Sequence, residues 1–124
     1  MQADKLVIAL LLVVGPALVY AASPEDSRTG LASWYGGGEP LNTHVAMGSR
    51  FDPESAEAAM WGVPLGFVVK VTNLENNRSI FVRITDRGPA KRLGDRVIDL
   101  TRGSFRRLAP LSQGLIPVVV QRIP

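Results

Sequence analysis

The sequence predicts an all-β fold, a small barrel carrying one or two short helices, and three observations lead there. Ser79–Thr85 alternates at period two, with Ile80, Val82 and Ile84 on one face and Ser79, Phe81, Arg83 and Thr85 on the other. That is the pattern of a half-buried strand. Further β-branched runs recur along the chain, separated by turns rich in Gly, Pro and Asn, and strand pairs at this spacing suit a barrel. Finally, 124 residues leave room for one domain and one core. Closing a small sheet on itself removes its exposed edges.

Taken in order, residues 1–21 carry Lys5 and the apolar run Leu6–Val19, and small residues, Ala21 and Ala22, mark the boundary. This is the layout of a secretory signal peptide. The run falls short of the ~20 apolar residues of a membrane span, and an uncleaved anchor is the alternative. Either reading places the domain outside the cytoplasm, periplasmic or secreted, with membrane contact only through an uncleaved N-terminal segment. Residues 22–29 read as a polar linker and residues 30–124 as the folded domain.

Leu31–Tyr35 is the first strand candidate, and Gly36, Gly37 and Gly38 follow as a loop whose backbone can approach a ligand closely. Asp52 is positioned to cap a short helix with Pro53 in its first turn and Glu54–Met60 inside it. Phe67–Asn73 is a β-branched strand, joined through Leu74–Arg78 to the strand ending beside Asp86. Gly88 and Pro89 stop that strand. Arg96–Leu100 forms another, Thr101 caps a basic helix over 102–108, and Ile116–Ile123 is the last strand.

Composition excludes several classes of function. There is no cysteine, which removes disulfides, thiolate chemistry and a lipid anchor through a lipobox cysteine. A single histidine, His44, argues against a protein-only zinc site, so neither metal nor cofactor is expected. The net charge of +3 favours an anionic partner. The arginines are scattered and accompany no nucleic-acid-binding motif, so no nucleic-acid partner is expected. A monomer is expected.

With these elements placed, the chain resembles the rare lipoprotein A (RlpA) family of septal lytic transglycosylases. Gly30–Gly36 is similar to the family's opening GxASWYG, and Leu41–Asp52 to its segment ending TANGExFD. Ala58–Ala59 and Val63–Gly66 match the two ends of AAHxTLPxG. Val71–Leu74 matches VTNL, Asp86–Pro89 matches DRGP, and Val97–Leu100 matches IIDLS. The resemblance implies a six-stranded double-psi β-barrel, related to expansins and barwin-like proteins, and peptidoglycan glycan strands as partner.

The family's histidine falls on Met60, its glutamate on Ser49, and the Asn of ANG on Met47. A thioether has no ionisable proton and a serine hydroxyl is far too weak an acid or base unaided. Of the polar set the resemblance implies, Asp86 alone remains. The SPOR domain often appended in the family is not expected here.

Lytic transglycosylation lets the sugar's own 6-hydroxyl attack the anomeric carbon, so one carboxylic acid can protonate the leaving oxygen and then accept the 6-hydroxyl proton. Asp86 must then be protonated at the working pH, which burial favours and the neighbouring Arg83 and Arg87 oppose. The implied activity is endolytic cleavage with a 1,6-anhydro product, weakened by the missing partners. The alternatives are a non-catalytic or expansin-like wall-binding module and a domain that recognises a protein partner. Trp34, Tyr35 and Trp61 are candidates for stacking on sugars or for core and loop packing. His44, Ser49, Met60 and Arg87 complete the candidate substrate-binding set. Asp99 reads as structural, bonding backbone N–H groups, and Asp95 and Glu39 as solvent-exposed.

Overall fold

A computed structural model describes residues 27–38 and 43–124. The N-terminal segment, most of the linker and Glu39 lie outside the described residues. Six strands form a closed barrel: β1 (Ser27–Tyr35), β2 (Glu57–Ala59), β3 (Val68–Asn73), β4 (Ser79–Asp86), β5 (Arg96–Thr101) and β6 (Ile116–Arg122). Around the barrel they run β1-β5-β2-β4-β3-β6. Two pairs, β1 with β5 and β2 with β4, are parallel, and the other four are antiparallel. This is the double-psi β-barrel that the resemblance implies.

The alternation of β4 sets the inner face. Ile80, Val82 and Ile84 are buried while Phe81 is 57% exposed. Val69 and Val71 of β3, Ile98 and Leu100 of β5, and Ile116, Val118 and Val120 of β6 join them in one core. The β3–β4 hairpin turns through Asn77, whose φ of 63° is the left-handed conformation that asparagine adopts at little cost.

The one α-helix among the described residues, α1 (Arg102–Arg106), starts where Thr101 accepts a hydrogen bond from Ser104 N–H. It ends two residues before the expected limit. Phe105 and the following Leu108 close one side of the core. A 3-10 turn at Leu111–Gln113 leads toward β6.

Two expectations are corrected. β1 begins at Ser27, pairing Ser27 with Gln121 of β6, so the strand runs through residues assigned to the linker. The helix expected after Asp52 does not form. Asp52 instead closes a turn, its Oδ1 accepting from Glu54 N–H at 2.9 Å and its carbonyl from the Ser55 hydroxyl at 2.7 Å. Residues 57–59 then become β2, wedged between β4 and β5, and Ala58 is fully buried. Ala and Glu favour helix locally, but two strands with open edges offer this segment ladder hydrogen bonds and a core position. Tertiary pairing overrides the propensity.

Candidate functional site

The site is built at the end of β4 by an irregularity in the ladder. Ala58 of β2 faces Ile84, but Ala59 faces Asp86, so Thr85 is an extra residue on β4. A bulge of this kind breaks the alternation and re-aims the side chains beyond it. Ile84 and Thr85 are consequently both buried, Thr85 to 1% exposure, and Asp86 emerges half-buried at the strand's rim. The Thr85 hydroxyl has no hydrogen-bond partner.

The loop over 43–50 docks onto this rim through its backbone. Ala46 N–H donates to Asp86 Oδ1 at 3.2 Å, Met47 N–H donates to Thr85 O at 2.9 Å, and Arg87 N–H donates to the same Oδ1 at 2.9 Å. Asp86 is therefore held through one oxygen, and among the described residues no donor reaches Oδ2.

Tyr35 stands at the end of β1 with its ring stacked on Phe51, centroids 5.4 Å apart. Its hydroxyl is buried and unpartnered. Burial pushes its pKa above the usual tyrosine range, and the charges of Asp99, Asp86 and Glu57 push it further. Three carboxylates thus lie within electrostatic range of one neutral phenol. Glu57 Oε2 is likewise buried without a partner. The sequence places Glu57 inside a helix and gives it no role, and no local signal marks it as part of a strand, because its pairing depends on β4 and β5. Asp99 Oδ1 accepts from the Ser33 hydroxyl at 3.1 Å, which ties β5 to β1. This side-chain partner fits the structural reading of Asp99.

The remaining expected residues separate into groups. His44 and Ser49 are exposed on the docked loop, with Thr43 Oγ1 3.0 Å from His44 Nδ1 and the Ser49 carbonyl accepting from Val45 N–H at 3.0 Å. Met60, expected to line the site, is 2% exposed and belongs to the core. Only its backbone meets the site, donating its N–H to Asp86 O at 3.1 Å.

Arg87, expected to meet substrate and to stand as a cation beside Asp86, instead donates from Nη1 to Met60 O at 2.8 Å and Val63 O at 2.6 Å. Arg83 likewise turns to Gly66 O at 3.2 Å. Among the described cations none forms an ion pair with Asp86. Both arginines answer carbonyls left over where the chain leaves the ladder, which is a stronger local demand than an exposed ion pair.

Trp34 takes the packing alternative rather than sugar stacking, its ring 6.4 Å from Phe105 and its Nε1 donating to Leu111 O at 3.1 Å. Trp61 is 39% exposed beyond the Asp86 turn, its Nε1 donating to Pro89 O at 2.7 Å and Lys91 Nζ lying 4.4 Å from its ring centroid.

Six-stranded double-psi barrels with a rim carboxylate form the class that this fold and site define. The chain belongs to the lytic transglycolase family, whose sequence profile matches residues 27–120. It is 44% identical over 102 residues to a "Probable endolytic peptidoglycan transglycosylase RlpA" from Nostoc sp., covering 82% of this chain and 27% of that protein. It is 36% identical over 99 residues to an "Endolytic peptidoglycan transglycosylase RlpA" from Neisseria meningitidis, covering 80% of this chain and 40% of the relative. The chain thus spans well under half the length of these two relatives.

Among solved structures it is similar to the Streptomyces papain inhibitor, with a TM-score of 0.61, 26% identity, and coverage of 79% of this chain and 94% of that one. It also shares its fold with a Clavibacter michiganensis expansin mutant solved in complex with cellohexaose, with a TM-score of 0.60, 19% identity, and coverage of 79% and 50%.

Proposed function

We propose that this chain is an exported protein that acts on peptidoglycan glycan strands as an endolytic lytic transglycosylase, with Asp86 as its acid and base. The observation that carries the reading is the one-sided anchoring of Asp86. Two backbone N–H groups fix Oδ1, and Oδ2 is the oxygen without a donor among the described residues. A carboxyl group held by one oxygen presents the other in a fixed direction, which is what proton transfer to a bound substrate requires.

In the proposed step the Oδ2 proton passes to the glycosidic oxygen as the bond from the anomeric carbon to that oxygen breaks. The sugar's 6-hydroxyl oxygen bonds to the anomeric carbon, and its proton returns to Asp86. No water is consumed, and the product carries a 1,6-anhydro end.

The burial of Met60 favours a second reading. A site whose family histidine position is a core methionine, and whose family glutamate position is an exposed serine, suits a wall-binding module without turnover. Incubating the full chain with isolated peptidoglycan separates the two. New 1,6-anhydro ends support the enzyme. Co-sedimentation with peptidoglycan and no new ends support the binding module, and failure to sediment overturns both.

A further inference from the structure

Arg28, Lys91 and Arg96 line an open cleft of about 370 Å³ beside the turn that follows Asp86, and no acidic side chain lines it. Arg28 also lines a smaller hollow of about 60 Å³, whose second cation is Arg122. The two hollows share Arg28, so four cations form one basic face. Asp95, next to Arg96, is exposed and lines neither hollow. Among the described residues the ion pairs are those of Glu54 with Arg102 and Arg106, so no described carboxylate neutralises this face. Two of its cations lie over exposed aromatic rings. Lys91 Nζ is 4.4 Å from the centroid of Trp61, and the Arg122 guanidinium is 4.8 Å from that of Phe67. The Trp61 N–H already donates to Pro89 O, so what the ring exposes is apolar.

We infer that this face docks on an anionic phospholipid surface, with lipid phosphates at the cations and the Trp61 and Phe67 rings at headgroup level. Cations beside low-dielectric walls concentrate positive potential and select anions. Aromatic rings paired with basic side chains suit the headgroup zone, where an apolar ring is buried and a charge stays among phosphates. The sequence also supplies the reason for a bilayer rather than a soluble polyanion. Arg28 follows Val19, the last residue of the apolar run, by nine residues. A fully extended chain therefore keeps Arg28 within about 32 Å of the end of that run, and a run seated in a membrane holds the basic face near its surface. The inference does not depend on turnover at Asp86, and either reading can fail alone.

The test is co-sedimentation of the full chain with phosphatidylcholine vesicles, with and without phosphatidylglycerol. The apolar run contributes equally to both, so the difference between them reads the charge. Each lysine or arginine near an anionic surface is worth about fivefold, so wild type is expected to bind the anionic vesicles on the order of 100-fold more tightly. The advantage is expected to shrink as salt rises toward about 1 M, where the Debye length falls to about 3 Å. Lys91→Gln is expected to lose about fivefold on anionic vesicles only, and Lys91→Glu more, with melting temperatures unchanged. Arg78→Gln removes an exposed charge that lines neither hollow and is expected to leave binding within about twofold of wild type.

Equal wild-type binding to the two kinds of vesicle overturns the inference. So does an advantage that survives Lys91→Glu, or an Arg78→Gln loss as large as that of Lys91→Gln, which would make net charge the cause. Release from anionic vesicles by polyglycerol phosphate at matched phosphate concentration overturns it in favour of a soluble polymer. A gain above about tenfold on replacing Glu25 and Asp26 by their amides would mean that the chain's own acids occupy the face, and overturns it as well.

Discussion

Replacing Arg87 by alanine separates a structural role from a substrate role. Its Nη1 group serves two carbonyls, Met60 O at 2.8 Å and Val63 O at 2.6 Å, in a segment where the Met60 and Val63 side chains are buried and Trp61 is exposed. Hydrogen bonds from a charged donor contribute about 1.5–3 kcal/mol each, and a carbonyl left without a donor loses part of that unless water reaches it. With both bonds partly accessible to solvent, the loss is about 2–4 kcal/mol. For a domain of this size that lowers the melting temperature by about 10–25 °C.

The assay is urea or thermal unfolding of wild type, Arg87→Ala and Arg87→Lys, with glycan binding measured at a temperature where all three are folded. The lysine variant keeps one charged donor and should fall between the other two. If Arg87→Ala unfolds within ~0.5 kcal/mol of wild type but loses glycan affinity, the guanidinium contacts substrate and the clamp described above is wrong.

Further predictions follow from the same geometry. Met60→His, which restores the family's residue type, is expected to cost about 1–3 kcal/mol and to add no cleavage, because the imidazole enters the core rather than the site; a gain in anhydro product contradicts that placement. Tyr35→Phe removes a buried hydroxyl that has no partner, so unfolding free energy should stay the same or rise by about 1 kcal/mol while cleavage stays at the wild-type rate. In an absorbance titration, Tyr35 should remain protonated past the ordinary tyrosine pKa of about 10. Its raised pKa contributes stability that is fully present below that value and declines as pH climbs through the folded-state pKa. A wild-type alkaline denaturation curve matching that of Tyr35→Phe contradicts this.

How far the sequence revealed the molecule depends on whether a feature was local. The β4 alternation, the Thr101 cap and the hairpin at Asn77 are written in adjacent residues, and the structure repeats them closely. Family motifs supplied the barrel and pointed to Asp86 ahead of the geometry. What stayed hidden depends on partners distant in the chain. Residues 57–59 look helical until β4 and β5 flank them. The bulge at Thr85 exists only relative to β2, so nothing in the run ending at Thr85-Asp86 shows that two successive residues are buried before the carboxylate emerges.

Arg87 adjoins Asp86 in sequence, which suggested an electrostatic pair. Which carbonyls lay within its reach was decided by the path of residues 60–63. Aligning Met60 with a family histidine identified the position, but the side chain's burial in the core could be read only from the folded barrel.

The most direct measurement is product analysis of peptidoglycan treated with the full chain carrying Asp86→Asn. Asparagine keeps an oxygen for the Ala46 and Arg87 N–H groups, so the docked loop and the fold should persist. It has no carboxyl proton to give. Wild type should generate 1,6-anhydro ends, and the folded variant should bind peptidoglycan yet generate them at least ~100-fold more slowly. Cleavage by Asp86→Asn at the wild-type rate, or a wild-type product with hydrolytic reducing ends instead of anhydro ends, would contradict a single-carboxylate lytic mechanism at Asp86.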